Sequence, residues 1–308
     1  MMTRSNLIRL ALNVSAAVAA LQGASAFAKD EKPLSLIITA GAEYDSNVSV
    51  DQADLLTRQG DTAVVLGVAA KYKVALGEDS SLSFGYDFDQ SLHTDLSAFD
   101  LQTHTASFGA DTKVGGLGLG ADYSFSHILL GGNSFLDIQQ AGPSISGFLT
   151  KSIYLRASYV YLDKNFKLSD NRDATAHQGS GDAYYFFMKN KGFINIGGRY
   201  GTENAVDLAL DYSSFQVGSV VQLPLPLLSD GAKVKFGYAY RERNYDNITP
   251  VIGAVRHENR STYKVDAVVP FTEHLSFKPE YRYVDRNSNF ASSNYTENVV
   301  TGALSYRF

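Results

Sequence analysis

The sequence predicts an all-β fold: a transmembrane, antiparallel, up-and-down β-barrel of about fourteen strands behind a cleaved signal peptide. Three observations predict it. Almost every segment after residue 30 alternates apolar and polar residues, the polar face of that alternation is rich in Gly and charge, and short turns alternate with long polar loops.

The N-terminus reads as a processing signal. Arg4 and Arg9 supply a positive n-region, Leu10 to Leu21 an apolar h-region, and Ala26-Phe27-Ala28 the small residues of a cleavage site. The apolar run falls short of the ~20 residues that cross a bilayer as a helix. Residues 1–28 are therefore expected to be removed, residues 29–308 to form one barrel domain, and the mature chain to begin at Lys29. The chain has no Cys, which excludes a lipobox, a disulfide framework and thiolate metal sites.

The strands follow in order. Val64, Leu66, Val68, Ala70, Tyr72, Val74 and Leu76 share one face, opposed by Gly67, Lys71 and Lys73. Leu82, Phe84, Tyr86 and Phe88 oppose Gly85, Asp87 and Asp89. Leu117, Leu119, Ala121, Tyr123, Phe125 and His127 oppose Gly118, Gly120, Asp122 and Ser126. Val234, Phe236, Tyr238 and Tyr240 oppose Lys235, Gly237 and Arg241. A soluble sandwich also alternates, but its polar face is seldom so rich in Gly. In a wide barrel that face looks into a water-filled lumen while the apolar face meets lipid. Tyr and Phe near strand ends (Tyr44, Tyr72, Phe88, Tyr161, Tyr200, Tyr240, Tyr283) resemble the aromatic girdles of the two interfaces.

The connections alternate in length. Gly77–Ser80, Gly115-Gly116, Thr150–Ser152 and Asn190–Gly192 are short; Asn47–Asp61, Leu92–Asp100, Lys167–Gln178, Asp246–His257 and Ser288–Tyr295 are long and are expected outside the cell. Gly131–Ser134 is a brief outer loop and Pro224–Gly231 a long inner turn. Pro143 interrupts the strand near Leu136–Thr150. The face shifts midway along Leu208–Leu223, which predicts a β-bulge.

The last ten residues, Val299 to Phe308, look like the C-terminal β-signal of outer-membrane barrels, with Tyr306 and the terminal Phe308 on its apolar face. That resemblance implies recognition by the barrel-assembly machinery and residence in the outer membrane of a Gram-negative bacterium, with membrane lipid as a partner. A narrower resemblance rests on Ala42-Glu43-Tyr44-Asp45-Ser46-Asn47-Val48, on Tyr281 to Asn289, and on Tyr295-Thr296-Glu297-Asn298. These are similar to strand ends in the barrel of the surface lipoprotein assembly modifiers, here without the helical repeats that precede it in that family. Kinship would imply a lipoprotein client. Asp45-Ser46-Asn47 also reads as turn chemistry at a strand end.

The formal charge of −5 argues against a nucleic-acid partner, which needs a basic face. The six His are scattered without metal-ligand spacing, and no cofactor motif is present. Asp170, Asn171 and Asp173 lack the spacing of a Ca²⁺ loop. A lipid-acting hydrolase would need an outward Ser and His oriented by a third group. His104 and His127 point outward, but Ser126 beside His127 faces the lumen by strand parity, so the sequence predicts no enzyme.

The candidate site is the pore lining. Parity turns Asp87, Asp89, Asp111 and Asp122 inward on early strands, with Glu43 and Asp45. It turns Lys235, Arg241, Arg243, Arg260, Lys264, Lys278 and Arg282 inward on late strands. The two sets are expected on opposite walls, with Lys71, Lys73, Lys113 and Glu280 as exceptions, giving a transverse field. Two functions follow: a porin-like pore transporting small solutes, or an export or assembly barrel for a surface lipoprotein or polysaccharide.

Overall fold

The structure, a computed structural model, describes residues 33–308; the expected signal peptide lies outside the described residues. The strands are β1 (Leu34–Asp45), β2 (Ser49–Val50), β3 (Leu55–Leu56), β4 (Asp61–Ala75), β5 (Ser80–His93), β6 (Leu101–Val114), β7 (Leu117–Leu130) and β8 (Asn133–Phe148). They continue as β9 (Ile153–Phe166), β10 (Ala174–Phe187), β11 (Gly192–Ala205), β12 (Tyr212–Pro224), β13 (Lys233–Thr249), β14 (Ala254–Pro270), β15 (Leu275–Ser288) and β16 (Tyr295–Arg307).

Fourteen of them, β1 and β4 to β16, pair antiparallel with their chain neighbours. The sheet closes where β1 meets β16, in register from Ile37↔Arg307 to Asp45↔Val299. Closure matters because an open edge in hydrocarbon would leave a row of unpaired N–H and C=O groups, each costing several kcal/mol. The fourteen strands, ~4.8 Å apart and tilted ~40°, enclose a tube roughly 28 Å across between backbones. That is too wide for facing side chains to meet at the axis, so the bore is set by what enters it.

The outer face is apolar as the alternation requires. Leu66, Phe84, Leu119, Ile145, Ile196, Phe215, Phe236 and Leu304 are all exposed. Short turns lie at the end that holds Leu34 and Phe308. The tightest is Gly115-Gly116, with φ of 57° and 84°, the left-handed pair that a two-residue hairpin turn needs.

Pro143 sits inside β8. The β7 side stays paired (Ala121↔Pro143), but the β8–β9 register skips from Ala141↔Tyr161 to Ser144↔Ser158. The skip falls where Pro has no N–H to give. The bulge expected in Leu208–Leu223 is not there. Leu208–Leu210 is a 3-10 turn whose cap, Asp207, accepts from Ala209 N (3.0 Å), and β12 then keeps register from Tyr212 to Pro224. The shift of face is a helical turn running into a strand. Register shifts occur instead at Ile128/Leu129 against β8 and between Asn244 and Ile248 in β13.

Candidate functional site

The long loop between β1 and β4, expected outside the barrel, folds into it. Its root is built by short polar residues. Asp45 Oδ1 accepts from Asn47 N (2.9 Å), the Asx-type turn that Asp-Ser-Asn favours. Ser46 N donates to Asn298 O (2.9 Å), Asn298 N donates to Ser46 Oγ (2.8 Å), and Asn47 Nδ2 donates to Thr296 O (3.3 Å). The strand-end segments 42–48 and 295–298 are thus neighbours at the barrel seam, and what they do there is aim the loop.

The loop then turns back on itself as the β2–β3 hairpin, Ser49↔Leu56 and Val50↔Leu55. Val48 and Val50 are fully buried against inward Leu101, Ile128, Leu136, Ile138 and Leu162 of β6 to β9. Burying a Val contributes ~1.5–3 kcal/mol, so this face is a firm attachment.

The opposite side of the loop carries carboxylates toward β13 to β15. Asp54 accepts from Arg286 Nη2 (2.7 Å) and Arg256 Nη1 (3.3 Å), with Arg172 Nη2 at 3.5 Å. Asp51 bonds Arg260 and accepts from Tyr295 Oη (3.1 Å). Glu258 completes the cluster, bonding Arg256 and accepting from Arg286 Nη2 (2.7 Å). Burial alone would push the Asp54 carboxyl up, but Arg286, Arg256 and Arg243 outweigh it and hold the group far below the usual carboxylate range.

Beside the docked loop a gap of about 400 Å³ remains, bordered by Asp51, Asp54 and Glu203 on the acidic side and Lys164, Arg172 and Arg243 on the basic side. Lys164 Nζ donates to Glu203 Oε2 (2.6 Å), and the Arg243 guanidinium lies 4.1 Å from the Tyr212 ring centre. Toward the turn end the inner wall of β10 to β14 borders a second space of about 800 Å³ that includes Asp182, Arg199, Lys235, Lys264 and Asp266.

The residues expected to line the pore fall as follows. Asp89 Oδ1 overlies Gly67, Asp111 Oδ1 overlies Gly120 and Asp122 Oδ1 overlies Gly109, all on the inner face that Asp87 shares by parity. Lys264 Nζ is 2.9 Å from Glu280 Oε2. Arg241 stands opposite Arg260, and Lys278 opposite the buried Ala303. Arg282 is fully buried opposite Val299, near the loop root. At the closing strand, Tyr306 is exposed outward and packs its ring 4.8 Å from that of Phe308, whose N–H reaches Leu36 O (3.0 Å).

The expected separation of charge needs correction. Asp111 and Asp122 do lie across from the basic strands, but Arg156 and Lys71 act on Asp122 too. Nearer the outer end that wall is apolar, and the acids facing the arginines come from the loop. Sequence reading missed Asp51, Asp54, Arg256 and Arg286. The signal that would have found them is Val48-x-Val50 within a long loop, an alternating apolar pair that needs a buried partner.

On the outer wall, His104 Nδ1 is 2.8 Å from Tyr86 Oη, and Ser126 is buried inward on Thr105 (2.8 Å). His127 is different. Its Nδ1 is 2.6 Å from Asp137 Oδ1, and its Nε2 is 3.4 Å from Ser134 Oγ. Asp173, in the loop weighed for Ca²⁺, accepts from Phe166 N (2.6 Å) and Asn165 Nδ2 (3.1 Å), holding its own loop.

No family model matches the chain, and no curated protein matches it. Solved structures do. The chain is similar to outer-membrane expressed OmpT of Vibrio cholerae, at 11% identity over 91% of this chain and 99% of that one, with a TM-score of 0.54. It is similar to Salmonella typhi OmpF in a complex with daunomycin (10% identity, 89% and 97% covered, TM-score 0.53). It is also similar to the anion-selective porin of Comamonas acidovorans (10%, 89% and 98%, TM-score 0.50). The chain is an outer-membrane β-barrel. Its place is the bacterial outer membrane, and at these identities the likeness carries the fold alone.

The expectation that the chain is not an enzyme does not stand. Four of the matched structures are OmpT barrels, a likeness at 11% identity that excludes no activity. The outer wall also holds a Ser–His–Asp array that parity reasoning overlooked.

Proposed function

We propose that the chain is a porin-like pore for small solutes, narrowed by the inward loop of residues 46–60. The observation that carries this is the loop's placement. It is fixed on one side by buried Val48 and Val50 and on the other by Asp51 and Asp54, and a gap with acids facing bases stays open beside it. Opposed charges in a water-filled bore with low-dielectric walls make a transverse field that orders water and ions and discriminates by charge and dipole. The larger space below, where Arg199, Lys235 and Lys264 outnumber Asp182 and Asp266, suits a mild preference for anions or acidic solutes.

The test is conductance of the purified full chain in a planar bilayer. Stable ohmic steps that enlarge when residues 49–56 are replaced by a short Gly-Ser linker support the reading. A folded barrel that never conducts, with or without the loop, overturns it.

The alternative is an export or assembly barrel related to the surface lipoprotein assembly modifiers. It rests on segments 42–48 and 281–289, which lie on β1 and β15 with β16 between them; Asp45 to Asn47 aim the loop and Arg286 binds it. Their contacts therefore serve the pore reading equally well. An export barrel would stay closed until a lipoprotein or polysaccharide client is added, which the same recording distinguishes.

A further inference from the structure

The outer wall carries a second constellation, on the opposite side of the sheet from the pore. His127 and Asp137 are direct cross-strand partners on β7 and β8. Both point away from the lumen, since their chain neighbours Ile128 and Leu136 are buried inward. One residue further on, the register slips. Leu129 pairs with Ser134, Ile128 with Leu136, and Phe135 has no β7 partner in the register. This bulge is what turns Ser134 outward, onto the face of His127; with a regular register the serine would be on the lumen side. Bulges recur beside active sites because they re-aim one side chain in this way.

The resulting order of contacts is that of a nucleophile, a base and an orienting acid. Asp137 Oδ1 lies 2.6 Å from His127 Nδ1 and fixes the ring with its proton on Nδ1. His127 Nε2 is then free to accept from Ser134 Oγ, 3.4 Å away, a spacing usual before substrate is bound. Asp137 is itself held, because its other oxygen takes Lys167 Nζ at 2.7 Å. The height is equally telling. His104, opposite His127, and His177 on β10 form a row with tyrosine hydroxyls, Tyr86 Oη and Tyr159 Oη, as expected of an interfacial belt. Below the array the wall is apolar, with Phe125 exposed.

We propose that Ser134 and His127 are the catalytic residues, and Asp137 the positioning residue, of an acyl hydrolase acting on ester-linked acyl chains of lipids at the outer interface. A lipid lying against Phe125 would bring its ester to the height of Ser134 with its headgroup at the rim. Ser134 Oγ attacks the ester carbonyl carbon as its proton passes to His127 Nε2. The tetrahedral intermediate expels the alcohol oxygen, which takes that proton back from His127 and leaves as the free hydroxyl of the lysolipid. Water then gives a proton to His127 and attacks the acyl-serine. The Ser134 Oγ–acyl bond breaks, Oγ recovers the proton, and a fatty acid departs. The amide of Phe135, which follows the nucleophile in an irregular part of the ladder, is the candidate donor to the oxyanion.

The experiment uses the full chain folded in detergent. A fluorophosphonate probe is added and the modified residue mapped by mass spectrometry. Mixed micelles of diacyl glycerophospholipid or of lipid A are incubated with the protein and released fatty acid is measured. An adduct on Ser134 is expected. Ser134→Ala and His127→Ala should abolish it and lower fatty-acid release by at least ~10³-fold, as loss of a member of such a unit does. Ser126→Ala should keep both, and Asp137→Ala should lower kcat with KM unchanged. Release from one micelle type alone identifies which lipid is the substrate. Heat-modifiable migration and bilayer conductance should be unchanged in Ser134→Ala, which separates this site from the pore. A folded barrel with neither adduct nor release from either micelle, or release that survives Ser134→Ala, overturns the proposal.

Discussion

Replacing Asp51 and Asp54 together by Asn should turn a steadily narrowed pore into one that visits a wider state. Asp54 accepts from two guanidiniums, at 2.7 Å and 3.3 Å, and charge-assisted bonds contribute ~1.5–3 kcal/mol each. Truncating one partner of a buried pair typically costs ~3–5 kcal/mol because the other charge is stranded. Here Glu258 remains on both Arg256 and Arg286, so stranding is partial and Asp54→Asn should weaken docking by about 2 kcal/mol. Asp51→Asn takes a carboxylate from the nearly buried Arg260, worth roughly 2–3 kcal/mol more. The sum, about 4–5 kcal/mol, shifts the docked-to-undocked ratio by roughly 10³-fold. Val48 and Val50 still hold the other face, so docking persists while undocked excursions become frequent enough to record. The assay is single-channel recording in a planar bilayer, with heat-modifiable migration confirming that the fourteen-strand barrel is intact. A double variant with the conductance levels and dwell times of the parent would show that these carboxylates do not hold the loop.

Four further outcomes follow. The docked Asp54 carboxyl titrates below its ordinary value of 3.8, so its contribution to docking is complete above about pH 4 and is lost only as the medium becomes strongly acid. Recordings between pH 4 and 8 should therefore show no opening from this group, whereas acid-induced opening should appear below that window and be absent in Asp54→Asn. Neutralising Arg241, Arg243 and Arg282 together should move the reversal potential under a salt gradient toward cation selectivity; no change in a conducting channel would show that they do not govern the pore. Phe308→Asp should reduce assembly, because it replaces the ring that packs on Tyr306 at the closing strand with a charge; parental yield of heat-modifiable barrel would refute this. Intact mass of the purified protein should begin at Lys29, and a mature form recovered from the cytoplasm would rule out the export signal.

The sequence by itself determined the architecture. Period-two alternation selects strands, Gly-Gly and long polar stretches separate them, and an alternation maintained to Phe308 supplies the partner for the first strand, so closure follows from pattern alone. Parity also placed Asp89, Asp111, Asp122, Lys264 and Arg282 on the inner face, because in a strand the direction of a side chain is a local property. What parity cannot give is anything that depends on where a loop goes or where a register slips. The path of residues 46–60 is decided by Val48 and Val50 finding Leu101, Ile128 and Leu136, residues far along the chain that become neighbours only when the cylinder closes. The arginines of β14 and β15 then meet acids from the loop, while the wall opposite them is apolar at that height. Ser134 carries the same lesson on the outer surface. Counting by twos from Ile138 puts it inside, and a one-residue bulge at Phe135, favoured by burying both Phe135 and Leu136, puts it outside against His127.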